Sequence, residues 1–436
     1  MHLNDLWMSS YVCLLGFSHL SFCVCPVCVL PLSMAAPTIV PAPNAPAPIF
    51  SAPTAFPTFA ANFWEATGTP IPLNRDDMTK SAPAALALSF DGRLLVALHG
   101  TSLQAYEWRS FDWRPRGSAL ETTLNRINNG NPPGVALSAA GTVVAWGDPP
   151  TNTVHVFEWK NNQWQPRPRI SIGSTATSAM SNDFYTFSLS ADASVLAIGE
   201  PFAQMDAGRA HLYRWDENQQ TWSNIRTWTG SVGSRTGSAI SLSLDGKTVA
   251  VAAVENSLAT LVPGMVRVYQ RSLTEANEVW SQVGQTLVGA RDGDRFGTAL
   301  ALSGSGQHLA VGAPVYEPQI DGKSIQNAGQ IRVYKWNDAI GLWQDHGQGL
   351  EGTSAEQGLG KFVSLSNNGL TVVAGSILGL IRIHRLNDVG RWISWGLPGT
   401  FAPSSVSSAA LSGNGRVLAL SDTLDESIHV YQAVSW

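Results

Sequence analysis

The residues with side chains suited to recognition chemistry fall in two unusually long connections. One runs from Ala253 to Gly264 and carries Glu255 and Asn256; the other runs from Pro314 to Gly329 and carries Tyr316, Glu317, Asp321 and Lys323. Carboxylates, an amide, a phenol and an ammonium in extended loops suit polar recognition of a partner, with loop drift as the bland alternative. A second set recurs at one position of a repeated strand: Gln104, His155, His211, Arg267, Arg332, Arg382 and His429. It reads either as an anion-binding ring or as repeated structural hydrogen bonding, with Asp91, Asp192 and Asp245 as expected partners. Repetition in every unit favours the structural role, because a site usually needs asymmetry. No Gly-rich phosphate loop opens a helix and no His-x-x-x-His spacing occurs. No catalytic residue, cofactor site or metal ligand is therefore assigned, and no Ser/His/Asp triad stands out.

The elements that position these residues come from a repeat. Leu-Ser recurs at Leu88, Leu137, Leu189, Leu242, Leu302, Leu365 and Leu411, at spacings of 46 to 63 residues. Each landmark ends a short apolar segment. A tight turn follows, usually closed by Gly (Gly92, Gly141, Gly246, Gly306, Gly369, Gly415), with only Asp192-Ala193 lacking it. A second apolar segment comes next, then a third such as Ile331 to Trp336, then a fourth beginning at a Trp. Segments of four to eight residues rich in Val, Ile, Leu, Tyr and Trp, bounded by turn residues, are strands. Four strands per unit at a period near fifty predict an all-β chain, a seven-bladed β-propeller.

The fourth strand predicts how the ring closes. Its Trp-x-x-x-Gly pattern appears at Trp113/Gly117, Trp280/Gly284, Trp343/Gly347 and Trp392/Gly396, and again at Trp64/Gly68, ahead of the first unit. The seventh unit ends with no room for a full fourth strand, so Asn62 to Ile71 is expected to complete it and remove a free sheet edge. The sixteen Trp follow the blades and are read as packing rather than as a sugar platform.

Phe296-Gly297 followed by Gly312-Ala313-Pro314 resembles the FG-GAP repeat of integrin α chains, with weaker echoes at Gly147-Asp148-Pro149 and Gly199-Glu200-Pro201. The resemblance covers about residues 62 to 436. It implies a binding propeller, often extracellular, in which some blades hold calcium in an Asp-x-Asp-x-Asp-Gly loop. Here the corresponding segment, 315–329, reads VYEPQIDGKSIQNAG and lacks the spaced carboxylates. Calcium thus enters only through the resemblance, and its loop motif is missing.

Composition bounds the remainder. Only 14% of the 436 residues are charged, there are 40 Gly, and net charge is −5, which leaves no electrostatic footprint for nucleic acid. Residues 1–34 are apolar and read as a targeting or anchor segment, although no Lys or Arg precedes the apolar run and Pro26 and Pro31 interrupt it. Translation from Met34 is the alternative and would place the protein in the cytoplasm. All four cysteines lie in this segment, and Cys25-x-x-Cys28 has no second pair, so they read as apolar residues rather than a redox or metal site. Residues 35–60 form a Pro/Ala-rich spacer, and 61–436 the propeller, which has no Asn-x-Ser/Thr acceptor. The expected function is a non-catalytic binding module, secreted or membrane-anchored, that presents loops of one face to a protein or glycan. A monomer is expected. The alternatives are a polysaccharide hydrolase or lyase using the central channel, and a purely structural surface protein. The hydrolase reading requires acids at the axis, whereas the first strands are apolar or hydroxylic.

Overall fold

Seven four-stranded antiparallel units, built from short strands whose inner members are mostly apolar, assemble as a seven-bladed β-propeller. The computed structural model describes residues 64–73, 85–99, 102–122, 134–148, 151–172, 186–254, 263–273, 278–396 and 405–434. The apolar segment and the Pro/Ala-rich spacer lie outside them. Blades are numbered from the first Leu-Ser unit. Blade 5 shows the pattern: Ala299–Leu302 is innermost, followed by His308–Ala313, Gln330–Asn337 and Leu342–Asp345. The second strands are buried on both faces, as a strand packed between two neighbouring blades must be: every residue of Val143–Asp148, Val195–Glu200 and Thr248–Ala253 is buried.

Blade 7 consists of Val406–Leu411, Val417–Asp422 and Ser427–Ala433, and its outer strand is Trp64–Ala66 from the other end of the domain. Trp64 opposes Ala433, and Ile71–Pro72 continues the pairing opposite Ile428 and Ser427. Trp64 is fully buried in the cluster that joins blades 6 and 7.

The Leu-Ser landmark is a turn clamp. In blade 1 the Ser89 hydroxyl donates to Asp91 Oδ1 at 2.7 Å, and the Leu94 N–H donates to Ser89 Oγ at 3.0 Å. The same two contacts recur with Asp192, Asp245, Asn368 and Asn414 as acceptors. All seven serines are at most 1% exposed. This corrects one expectation: Asp91, Asp192 and Asp245 cap their own turns and do not pair with the third-strand polar set. The residue after each Ser then links the blades. Phe90, Ala139, Ala191, Leu244, Gly304 and Asn367 each donate a backbone N–H to the next blade's turn, and Asn414 returns to Phe90, at 2.8–3.2 Å throughout. Seven hydrogen bonds thus form a closed belt around one end of the channel. Ala193, the one non-Gly residue in the turn position, adopts φ +57° as the glycines do.

The outer strands differ in one respect from the single run the sequence suggests. In blade 5 the segment 343–350 divides into Leu342–Asp345 and Leu350–Glu351, both paired with the third strand. Gly347 sits between them at φ +83°, and a Cβ there would lie 2.7 Å from the ring of Trp392 in blade 6. Gly117 meets Trp159, Gly284 meets Trp336 and Gly68 meets Trp108 in the same way. At these four glycines the Trp-x-x-x-Gly pattern is therefore a socket for the next blade's indole, whereas a Cβ at Gly396 would meet nothing within 4 Å. Paired tryptophans at ring distances of 5.2–5.5 Å (108/113, 159/164, 215/222, 336/343) fill these positions.

Candidate functional site

The connections between second and third strands, and between one blade and the next, meet on the face opposite the belt. In blade 5 the long connection carries a small hairpin, Gln319–Ile320 with Lys323–Ser324. Asp321 and Gly322 form its tip, at φ +49° and +74°. Gln319, Asp321, Lys323 and Ser324 are exposed, whereas Tyr316 and Glu317 are half-buried at its base. Tyr316 packs against the core between blades 4 and 5. Glu317 accepts a hydrogen bond from Ser324 Oγ at 3.1 Å. Four of the six expected site residues are thus brought onto one projection; Glu255 and Asn256 lie outside the described residues.

The projection is braced from the neighbouring connection. Glu356 N–H donates to Gln326 O and Gly358 N–H to Asn327 O, both at 2.9 Å, while Asn327 Nδ2 donates to the Glu356 carboxylate at 3.1 Å. Gly329 bridges Leu359 in parallel, with no room for a Cβ: Leu359 O lies 2.2 Å from its ideal position. Blade 3 is built alike. Its turn at Ala203–Asp206 has left-handed residues at Gln204 and Met205, and Asp206 pairs with Arg235 at 2.8 Å. Gly208 there bridges Thr236. Gly264 of blade 4 lies against Phe296 O in the same manner.

Asp294 is a buried acid beneath the blade 5 projection, 3% exposed. Its Oδ2 accepts the Arg291 N–H at 2.7 Å, and Val315 N–H donates to its carbonyl. Burial raises its pKa above the usual carboxylate range, with the backbone bond from Arg291 opposing and the Glu317 charge adding to the rise. The donor set of 315–329 does not fit a calcium loop. It offers two carboxylates, one engaged with Ser324 and one at an exposed tip, where calcium takes six to eight oxygens.

The third-strand polar residues divide by partner. His155 lies 3.6 Å from Asp148, His211 is 2.7 Å from Glu200, and His429 is 2.6 Å from Asp425. Arg332 makes a bidentate pair with Asp345, with contacts of 2.7 and 2.6 Å from Nη2. Arg382 reaches the blade 5–6 connection at Glu351 O and Thr353 Oγ1. Gln104 bonds to Ala105 O and Gly117 O. These six form separate local arrangements and do not converge on one ligand, and Arg267 has no carboxylate partner among the described residues. Sequence reasoning missed the acids at the ends of second strands, Asp148, Glu200 and Asp422, which accompany His rather than Arg on the third strand. The signal was present: Ala253, Ala313 and Ser376 hold that place where the third strand carries Arg. Asp422, Asp425 and His429 offer ligand atoms within 4.8 Å of one another. They are already engaged in the turn, Asp422 with Leu424 N–H and Ser405, Asp425 with Ser427 and His429.

Among known structures, the ring is similar to hydrazine synthase of Kuenenia stuttgartiensis, with a TM-score of 0.52 and 14% identity over 83% of this chain and 99% of that one. It is also similar to a protein from Lactobacillus plantarum, with a TM-score of 0.48 and 14% identity over 72% and 83%. At such identity the likeness concerns the fold alone. No family model and no curated protein matches the chain. The class that fold and strand order define is the seven-bladed β-propeller.

Proposed function

We propose that this propeller is of FG-GAP type and works as a non-catalytic binding module, its partner a protein or glycan met on the face that carries Tyr316, Glu317, Asp321 and Lys323. The observation that carries the reading is the exposed hairpin of blade 5, held by backbone contacts to the next connection above a rigid ring. A preorganised projection loses little entropy on binding. The inner strands, from Ala85–Leu88 round to Val406–Leu411, carry no Asp or Glu, which supports recognition over glycosidic chemistry at the axis. The FG-GAP assignment draws support from what the residues do: Phe296 is buried, Gly297 is left-handed at φ +95°, and Gly312 admits Gly360 O to 2.1 Å from its ideal Cβ. We further propose that residues 1–34 target or anchor the chain, placing the ring outside the cell as a monomer. No helix among the described residues is long and apolar enough to cross a membrane.

The test compares the full-length protein with the double variant Glu317→Gln/Lys323→Gln on an array of glycans and purified cell-surface ectodomains. The expected outcome is a specific hit that weakens at least about tenfold in the variant at unchanged melting temperature. A hit of equal strength would move the site off blade 5. Turnover of a polysaccharide would replace this reading with the hydrolase one.

A further inference from the structure

The entries to blades 4, 5 and 6 differ at one place, and the difference leaves a cavity. Blades 4, 5 and 6 begin with Thr236-Gly237, Phe296-Gly297 and Leu359-Gly360, six residues before Leu242, Leu302 and Leu365 respectively. Phe296 and Leu359, 2% and 0% exposed, plug the interfaces that blades 5 and 6 make with the blade before them. Phe296 packs edge-on to Tyr334 at 6.3 Å. In blade 4 the plug is the much smaller Thr236, and a cleft of about 280 Å³ lies between blades 3 and 4. Its walls include Arg226, Trp228, Thr236, Val251, Arg267 and Tyr269.

The charges differ at the same interface. Arg332 of blade 5 is neutralised by Asp345 on the outer strand. Arg267 stands at the equivalent position in blade 4, but the residue matching Asp345 is Gln282, whose amide turns away to Gly284 O and Thr286. Among the described residues no carboxylate lies within ion-pair distance of Arg267 or Arg226. Arg267 and Tyr269 line the same cleft, and the Tyr269 ring stacks on Trp228 at 4.5 Å. Arg226 lies 5.7 Å from the Trp228 ring centre. Two guanidinium groups with no carboxylate partner among the described residues, lining a space that Phe296 and Leu359 fill in the next two blades, suit recognition of an oxyanion. The volume is near the lower end of small-ligand pockets, about 300–1,000 Å³, and so suits a single ring rather than a chain.

We propose that the cleft between blades 3 and 4 binds a compact organic oxyanion, of the class of a sugar bearing a carboxylate, sulfate or phosphate, held by Arg226 and Arg267 beside the Trp228–Tyr269 stack. The site is separate from the blade 5 projection, and the variants that test one leave the other intact.

The experiment is calorimetric titration of the full-length protein, at low salt, with glucuronate, glucose 6-sulfate, glucose 6-phosphate and neutral glucose. At least one anionic sugar is expected to bind with one-to-one stoichiometry and glucose not at all; which anion binds best identifies the source. Arg267→Gln should weaken binding at least about tenfold, as loss of a charged hydrogen bond does. Thr236→Phe restores the plug used in blade 5 and should abolish binding with melting unchanged or raised. Gln282→Asp supplies the counter-ion used in blade 5 and should weaken binding by a similar factor; because Gln282 is exposed, this variant carries the test even where Thr236→Phe fails to fold. The proposal is overturned if no anionic sugar binds at millimolar concentration, if glucose binds equally, or if binding survives Gln282→Asp unchanged.

Discussion

Blades 3 to 6 and blades 7, 1 and 2 use the same strands and the same Leu-Ser clamp, yet their connection faces are built on different principles. In the first group a glycine before the third strand (Gly208, Gly264, Gly329, Gly379) lies against the backbone of the next blade, and the connections brace one another, around a short turn in blade 6 and longer segments in blades 3 to 5. In the second group the turn is short: His99 to Ser102, Asp148 to Thr153 and Asp422 to Ser427. Blades 2 and 7 of that group stabilise it with a local carboxylate–imidazole contact. Blade 3 uses both devices. A long projection therefore needs interblade backbone support, whereas a short turn is held by its own side chains. Candidate binding residues concentrate on the braced side for that reason.

The strongest way to break this comparison is to ask whether the two groups fold as one. Deleting residues 62–71 removes the outer strand of blade 7, with the fully buried Trp64 and its pairing to Ser427–Ala433. Because the belt of turn hydrogen bonds runs through all seven blades, the whole ring should lose its cooperative melting transition, including blades 3 to 6. A deletion protein that melts as the parent does would show that the braced half is independent of closure.

Next in size is a graded set of glycine substitutions. Gly264→Ala places a Cβ 1.9 Å from Phe296 O, a backbone atom that cannot swing away, and should cost about 3 kcal/mol or more. Gly322→Ala, at the hairpin tip, meets nothing within 4 Å but keeps φ +74°, and should cost about 1 kcal/mol. Gly396→Ala meets neither obstacle and should lie within about 0.5 kcal/mol of the parent. Denaturant midpoints of the three variants give the ranking, and a Gly264→Ala protein as stable as Gly396→Ala would remove backbone bracing from the argument.

These cases also show what the sequence made legible. Strand order, blade count and closure followed from the spacing of Leu88 through Leu411 and the stray Trp64/Gly68, because hydrophobic period and turn glycines are local signals. The loop projection at 316–323 was legible as excess length. The partners of Asp91 and the third-strand histidines were not, since a hydrogen bond between residues of similar repeat position can close within the turn or across blades with the same residues. The cleft between blades 3 and 4 was present as Thr236 in place of Phe296 and Gln282 in place of Asp345. Each substitution is ordinary alone, and only packing shows that both open on the same space.

The smallest effect separates the histidines of the two groups. His155 and His429 stand beside carboxylates, but among the described residues His308 of blade 5 and His384 of blade 6 have no acidic partner, and neither ring nitrogen of His384 is hydrogen-bonded. Burial lowers both pKa values from 6.5 to about 4, with His346 and Lys335 adding to the effect at His308 and Arg382 at His384. Between those values the unfolded chain binds protons that the folded ring refuses. Stability from these groups is therefore intact above about pH 6.5 and is lost as pH falls towards about 4. His384→Phe keeps a planar ring and removes the titration. It should melt close to the parent at pH 7 and retain roughly 1–2 kcal/mol of the stability that the parent loses on acidification, a figure discounted for the ring's partial exposure. If His384→Phe and the parent lose stability in parallel between pH 7 and 4.5, the acid response resides elsewhere, and the histidines of the braced half are not what distinguishes it.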